Sequence, residues 1–307
     1  MNGSSRFEAT SGTINIASGE GAEVTITMNG SSRFEATNAS SKITFVDGKN
    51  STATLTLNDN ASFVSAGAIG LGHYDPDNGG SSATVTANAG TLFQAQTLIM
   101  GRSDDTTKSP DSMINLNGGT LAVGVIQVGG GSGTKTINSN GGTLRALESG
   151  DLVTTIQTGG AALVINLQSG GLTLDTQTYT VVLDQALSGV GGLTKVGSGD
   201  LTLSGAGHTY TGGTVVSAGT LIVDASLASS SVEVASGAVL LLNGDFLLDA
   251  ATLELLAGAE LQMDFVGDQT VRSLVVNGVN IAAGTYTMEQ LAALSGGSVN
   301  FTDLGSN

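Results

Sequence analysis

Short alternations of apolar and polar residues, cut by glycine and asparagine at nearly even intervals, run through the whole chain. The clearest stretch is Gly191 to Asp224. There Leu201 and Leu203, Val215, then Leu221 and Val223 recur at the period of a strand, and Gly197, Gly199, Gly205, Gly207, Gly212, Gly213 and Gly219 mark the turns. Strands this short cannot bury a face alone, so each must pair with the copies before and after it, which is the logic of a solenoid.

The same logic gives a repeat earlier in the chain. EVTITMNGSSRFEA from Glu23 has its counterpart in TATLTLNDNASFVSA from Thr52, an offset of 29; SATVTANAGTLFQAQ from Ser82 and SMINLNGGTLAVGVIQVGG from Ser112 follow at 30, and TKTINSNGGTLRAL from Thr134 at 22. MNGSSRFEAT at 1–10 recurs letter for letter at 28–37, so the chain starts part-way through a repeat. Each copy reads as a strand, a corner with Asn or Gly, a second strand, a third strand ending in Gly, and a variable connection. Three strands per coil predict a triangular parallel β-helix, and roughly ten or eleven coils at about 4.8 Å each predict a rod on the order of 50 Å long.

The pattern divides the chain into regular coils over 1–186, with long lateral loops at 73–82 and 102–112, and looser coils over 187–307. From Asp151 to Ser188 the alternation continues with reshaped corners. Only TMEQLAALSGG reads as a helix, at 287–295: Thr287 with Gln290 forms a capping box, Met288, Leu291 and Ala292 share a face, and Gly296 suits C′. It is placed to cover the open end of the last coil, and SVNFTDL after it supplies one more strand.

GGLTK (191–195), LTLSG (201–205), YTGGT (210–214) and AGTLIV (218–223) resemble the passenger-associated repeat of bacterial autotransporters and related secreted proteins. Asp200 stands where that family usually has a small or hydroxyl residue. The resemblance implies an all-β fold, a right-handed parallel β-helix (β-solenoid) displayed outside the cell, often adhesive. It implies no catalytic set.

Composition narrows the picture further. Aromatics are 4% with no Trp, so the core is built from thin layers of aliphatic side chains; Gly 46 against Pro 2, with 40% hydrophobic residues, excludes a disordered linker. A net charge of −16 repels phosphate backbones and anionic membranes, which argues against a nucleic-acid partner. The lack of Cys removes disulfides, thiol nucleophiles and Cys-ligated metals together. No apolar run is long enough for a membrane span, and the first residues lack the basic and apolar regions of a signal peptide.

Four sets of residues invite chemistry. Asp75, Asp77 and Asn78, with Asp104, Asp105 and Asp111, fall in the long connections of adjacent coils; hard oxygen ligands in such loops can hold Ca²⁺, and Asp75, Asp77, Asp104 and Asp105 are the metal candidates, although the same residues are ordinary turn formers. Thr25 with Thr27, Thr54 with Thr56, and Thr84 with Thr86 recur at coil spacing and predict a threonine ladder on one face. Such an array is either structural or, as in some solenoids, a face that binds ice. The two histidines, His73 and His208, lie in different loops with no nucleophile elbow. Asp245 with Asp249, or Asp264 with Asp268, gives the carboxylate spacing of a polysaccharide-cleaving β-helix, against the alternative of strand-end turns.

The sequence therefore predicts a non-enzymatic, extracellular or cell-surface β-solenoid of a Gram-negative-type surface or matrix protein, with no catalytic residues and no cofactor beyond the Ca²⁺ candidates. Its expected partner is a surface or matrix ligand, or copies of itself end to end in a polymerising filament. From another class, the alternative is a β-helical polysaccharide lyase or hydrolase, which needs a cleft where carboxylates and cations converge.

Overall fold

The computed structural model describes residues 1–72, 80–101, 110–156, 160–205 and 207–304. It divides into two compact units, Met1–Asn166 and Leu167–Asn307. Both are parallel β-helices, in which strands of successive coils pair side by side.

In the first unit one sheet contains Glu23–Met28, Thr52–Leu57, Ser82–Asn88, Asp111–Asn117 and Lys135–Ser139. Glu23 pairs with Thr52, Thr52 with Ser82, and Ser82 with Asp111. The third step is therefore 29 residues rather than the expected 30, and the next, Ser112 to Lys135, is 23 rather than 22. The connections absorb the difference, because the sheet fixes only which inward side chains meet. Those are Ile26, Leu55, Val85, Ile114 and Ile137 in one column, and Met28, Leu57, Ala87 and Leu116 in the next, nearly all sealed from solvent.

A second sheet carries Arg6–Ala9, Arg33–Ala36, Ser62–Leu71, Leu92–Met100, Thr120–Val128 and Gly142–Ala146. The second and third strands expected in each coil run on as one long strand, Ser62–Leu71, with a register shift between Ser65 and Ala68. No proline or asparagine breaks this stretch. The bend is made at Gly67, whose N–H is held by Ser65 Oγ at 3.2 Å and where a Cβ would stand 2.2 Å from the carbonyl of Ser41. Along one column of the sheet the exposed Phe7, the half-buried Phe34 and the buried Phe63 stack with centroids 5.1 and 4.2 Å apart, and the buried Phe93 tilts against Phe63.

In the second unit two sheets share the coils. Leu172–Asp175, Leu193–Val196, Thr214–Val216, Ser231–Val234, Thr252–Leu255 and Ser273–Val276 make one; Val181–Leu183, Asp200–Leu203, Thr220–Val223, Val239–Leu242, Glu260–Met263 and Asn300–Asp303 make the other. A third side keeps the short strand Leu187–Gly189 and beyond it only single bridges, from His208 to Leu227 and from Leu227 to Leu247. Leu201, Leu203, Leu221 and Val223 point inward as expected, but Val215 does not: Thr214 and Val216 are the buried residues of that strand. The reason is register, since Leu193 and Lys195 pair with Thr214 and Val216.

The C-terminal end is closed differently from the coils. Val276–Val279 turns back as an antiparallel hairpin, with Asn277 and Gly278 at φ 49° and 76°, the backbone of a type I′ turn. The helix Met288–Leu294 follows, with both capping-box hydrogen bonds formed between Thr287 and Gln290. Gly296 at φ 61° donates to the Ala293 carbonyl and Gly297 to that of Ala292, which completes a Schellman ending. Asn300–Asp303 then adds to Glu260–Met263 as one further parallel strand.

Candidate functional site

The outward face of the sheet Glu23–Met28, Thr52–Leu57, Ser82–Asn88 is the most regular surface of the first unit. Strand pairing puts Thr25, Thr54 and Thr84 in one column and Thr27, Thr56 and Thr86 in the next, with Thr52 and Ser82 alongside. The columns end where Met113 and Asn115 take the corresponding places in Asp111–Asn117.

Beside these threonines runs a ladder of side-chain amides that the sequence reading passed over. Asn29 donates to Asn2 Oδ1 at 2.7 Å, Asn58 to Asn29 at 2.8 Å and Asn88 to Asn58 at 2.8 Å. A second short ladder links Asn138 to Asn115 at 3.0 Å and Asn166 to Asn138 at 3.2 Å. Asn recurring at 29, 58, 88 and 117 was the available signal. The inner amides of the ladders, Asn29, Asn58 and Asn138, both donate and accept, so they tie each coil to the coils on either side.

Two lysines are buried inside the coils rather than displayed. Lys195 occupies an inward strand position, and its ammonium donates to Thr176 Oγ1 and to the carbonyls of Val196, Gly197 and Ala218 at 2.9–3.2 Å. Burial lowers its pKa to about 8, with Asp200 and Asp175 opposing. Lys135 is likewise held by the carbonyls of Gly131, Gly133 and Ala161, and burial lowers its pKa. These ammonium groups lace coil corners together and are sealed from any substrate.

His208 is also inside. Its Nδ1 accepts the Leu187 N–H at 3.3 Å, its Nε2 has no partner among the described residues, and burial lowers its pKa to about 4. Tyr210, fully buried, bonds Thr214 Oγ1 at 2.6 Å, and burial raises its pKa.

Of the metal candidates, Asp75, Asp77, Asp104 and Asp105 lie outside the described residues, as do Asn78 and His73. Asp111 is described: its Oδ1 accepts from the Thr134 N–H at 2.7 Å and from the Thr134 hydroxyl at 2.8 Å, tying two coils. No group of three or more acidic or histidine side chains is placed to hold a metal among the described residues. Asp245, Asp249, Asp264 and Asp268 are exposed, Asp245 in a bend and Asp249 in a turn between strands. Asp268 shares a hollow of about 590 Å³ with Arg272 and Asp303, on a floor that includes Leu261, Met263 and Phe265 beside the C-terminal helix. No helix of the described residues is long and apolar enough to cross a membrane.

Residues 193–223 match the family described as the passenger-associated-transport-repeat. In the structure they span two complete strand pairs, from Leu193 to Val223, together with the buried Lys195, His208 and Tyr210. The repeat read at 191–224 is thereby identified. Over 240 residues the chain is 29% identical to the adhesin BmaC autotransporter of Brucella suis biovar 1 (strain 1330). The alignment covers 74% of this chain and spans about 6% of the length of that curated relative. No solved structure matches.

Proposed function

We propose that this chain is an adhesive, non-enzymatic section of an autotransporter-type passenger, working outside the cell or at its surface. The observation that carries the reading is the passenger repeat at 193–223, set in register within a parallel β-helix and accompanied by similarity to a curated adhesin. A coil of this kind needs no disulfide, because the strands inside each sheet are paired on both sides and the bore is filled mainly by buried aliphatic side chains. It can present a large, protease-resistant surface with no cofactor. The ligand expected for it is a surface or matrix component.

The test is adhesion by the purified chain. Beads carrying it should bind cultured epithelial cells, or coats of fibronectin or collagen, above the level of beads carrying an unrelated β-helix. Binding no higher than that control on every surface would overturn the adhesive reading.

A further inference from the structure

We propose that the outward face of Glu23–Met28, Thr52–Leu57 and Ser82–Asn88 binds the surface of ice. The face repeats in two dimensions. Across the strands, hydroxyl-bearing residues recur about 4.8 Å apart, and along each strand about 6.6 Å apart; these spacings are close to the oxygen repeats on a prism face of hexagonal ice. Thr25, Thr54 and Thr84 form one row, Thr27, Thr56 and Thr86 the next, and Thr52 with Ser82 extends the array. Each threonine offers a methyl group and a hydroxyl, which together order water without binding it tightly.

The array is kept in register from beneath and from the side. The pairing runs without a register shift from Glu23 to Met28, whereas the adjoining sheet breaks register at Ser65. Behind the face Ala53, Leu55, Leu57, Ala83, Val85 and Ala87 are wholly buried, so the strands cannot sag. The amides of Asn29, Asn58 and Asn88 fix the coil spacing along one border. Against a net charge of −16, the only acid within the array is Glu23 at its edge, with Asp111 just beyond. A regular surface of this kind adds many weak contacts to a lattice that repeats as it does.

Strand preference does not account for the threonines. Threonine suits a strand, but valine and isoleucine suit it as well. The second unit offers a contrast on a different sheet of the coil, where one outward column reads Val182, Thr202, Ile222, Leu241 and Gln262. The same coil thus forms without a hydroxyl lattice. A polysaccharide is a poorer fit, because holding a sugar ring needs aromatic plates or long polar side chains that reach over it, and the array has only short ones.

The experiment is ice shaping and thermal hysteresis with the purified chain. The native chain should facet ice crystals and enter growing ice. T54Y with T84Y, which roughens the face with strand-favouring residues, should abolish both; T54S with T84S, smaller than the native pair and so free of steric strain, should weaken both by removing methyl groups. T202Y on the second unit should leave them unchanged. Failure of the native chain to shape ice while its far-UV spectrum is β-rich overturns the proposal, whatever the variants do. So does retention of activity in folded T54Y with T84Y, or retention of the chain on cellulose or chitin with exclusion from ice.

Discussion

The ammonium of Lys195 donates to the carbonyl of Ala218 at 2.9 Å, joining the corner of one coil to the corner of the next. The neighbour of Ala218 makes this geometry available. Gly219 lies at φ 66°, and a Cβ there would stand 2.4 Å from the Gly199 carbonyl and 2.9 Å from Lys195 Nζ.

Gly219→Ala should therefore be costly for two separate reasons, the left-handed backbone and the collision with a fixed carbonyl. A loss of about 2–4 kcal/mol is expected. Urea denaturation followed by circular dichroism measures it; a change within error of the native protein would show that the corner relaxes freely.

Alkaline pH should act on the second unit in two opposite ways. The Lys195 pKa falls from its ordinary 10.5 to about 8, so the unfolded chain binds the extra proton between those values, and stability rises as pH climbs from 8 towards 10. Tyr210 has a raised pKa, so the stability it contributes is full below pH 10 and declines above it as the unfolded phenol ionises. Denaturation midpoints across pH 7–11 should pass through a maximum; Lys195→Met should flatten the rise, and Tyr210→Phe the fall.

Mild acid should weaken the fold through His208. Its pKa drops from 6.5 to about 4, so its contribution is present above pH 6.5 and lost as pH falls through 4, a change on the order of 3 kcal/mol. Protonation also forces Nδ1 to give up the Leu187 N–H. His208→Gln should remove most of the acid slope, and an unchanged slope would assign it to other groups.

In the first unit Asn58 stands in the middle of its amide ladder, accepting from Asn88 and donating to Asn29. Asn58→Ala breaks both bonds, and the expected cost is about 1–2 kcal/mol. Hydrogen exchange should report the loss locally, as faster exchange at Asn58 and Ala61 N–H groups, whose bonds to neighbouring carbonyls lie beside the ladder.

Alternation and glycine spacing determined much of this protein without help. Leu201 beside Leu203, and Leu221 beside Val223, can only be strands with one dry face, and strands so short can only stack on their copies. The passenger repeat and the end helix with its Thr287 cap were legible for the same reason: each is a local pattern with a local cause.

What only the tertiary structure decided is which columns the coils bring together. Val215 recurs at strand period with the core residues of its stretch, yet the pairing of Leu193 and Lys195 with Thr214 and Val216 turns it out and places Lys195 in the bore beside Leu193. The hairpin at Asn277 and Gly278 carried a turn signal, but only the structure shows its second arm, Val279–Asn280, pairing antiparallel with Val275–Val276. A strand's sequence fixes the two sides of its pleat, whereas the choice between them, and the neighbours that result, belongs to the hydrogen-bond register between coils.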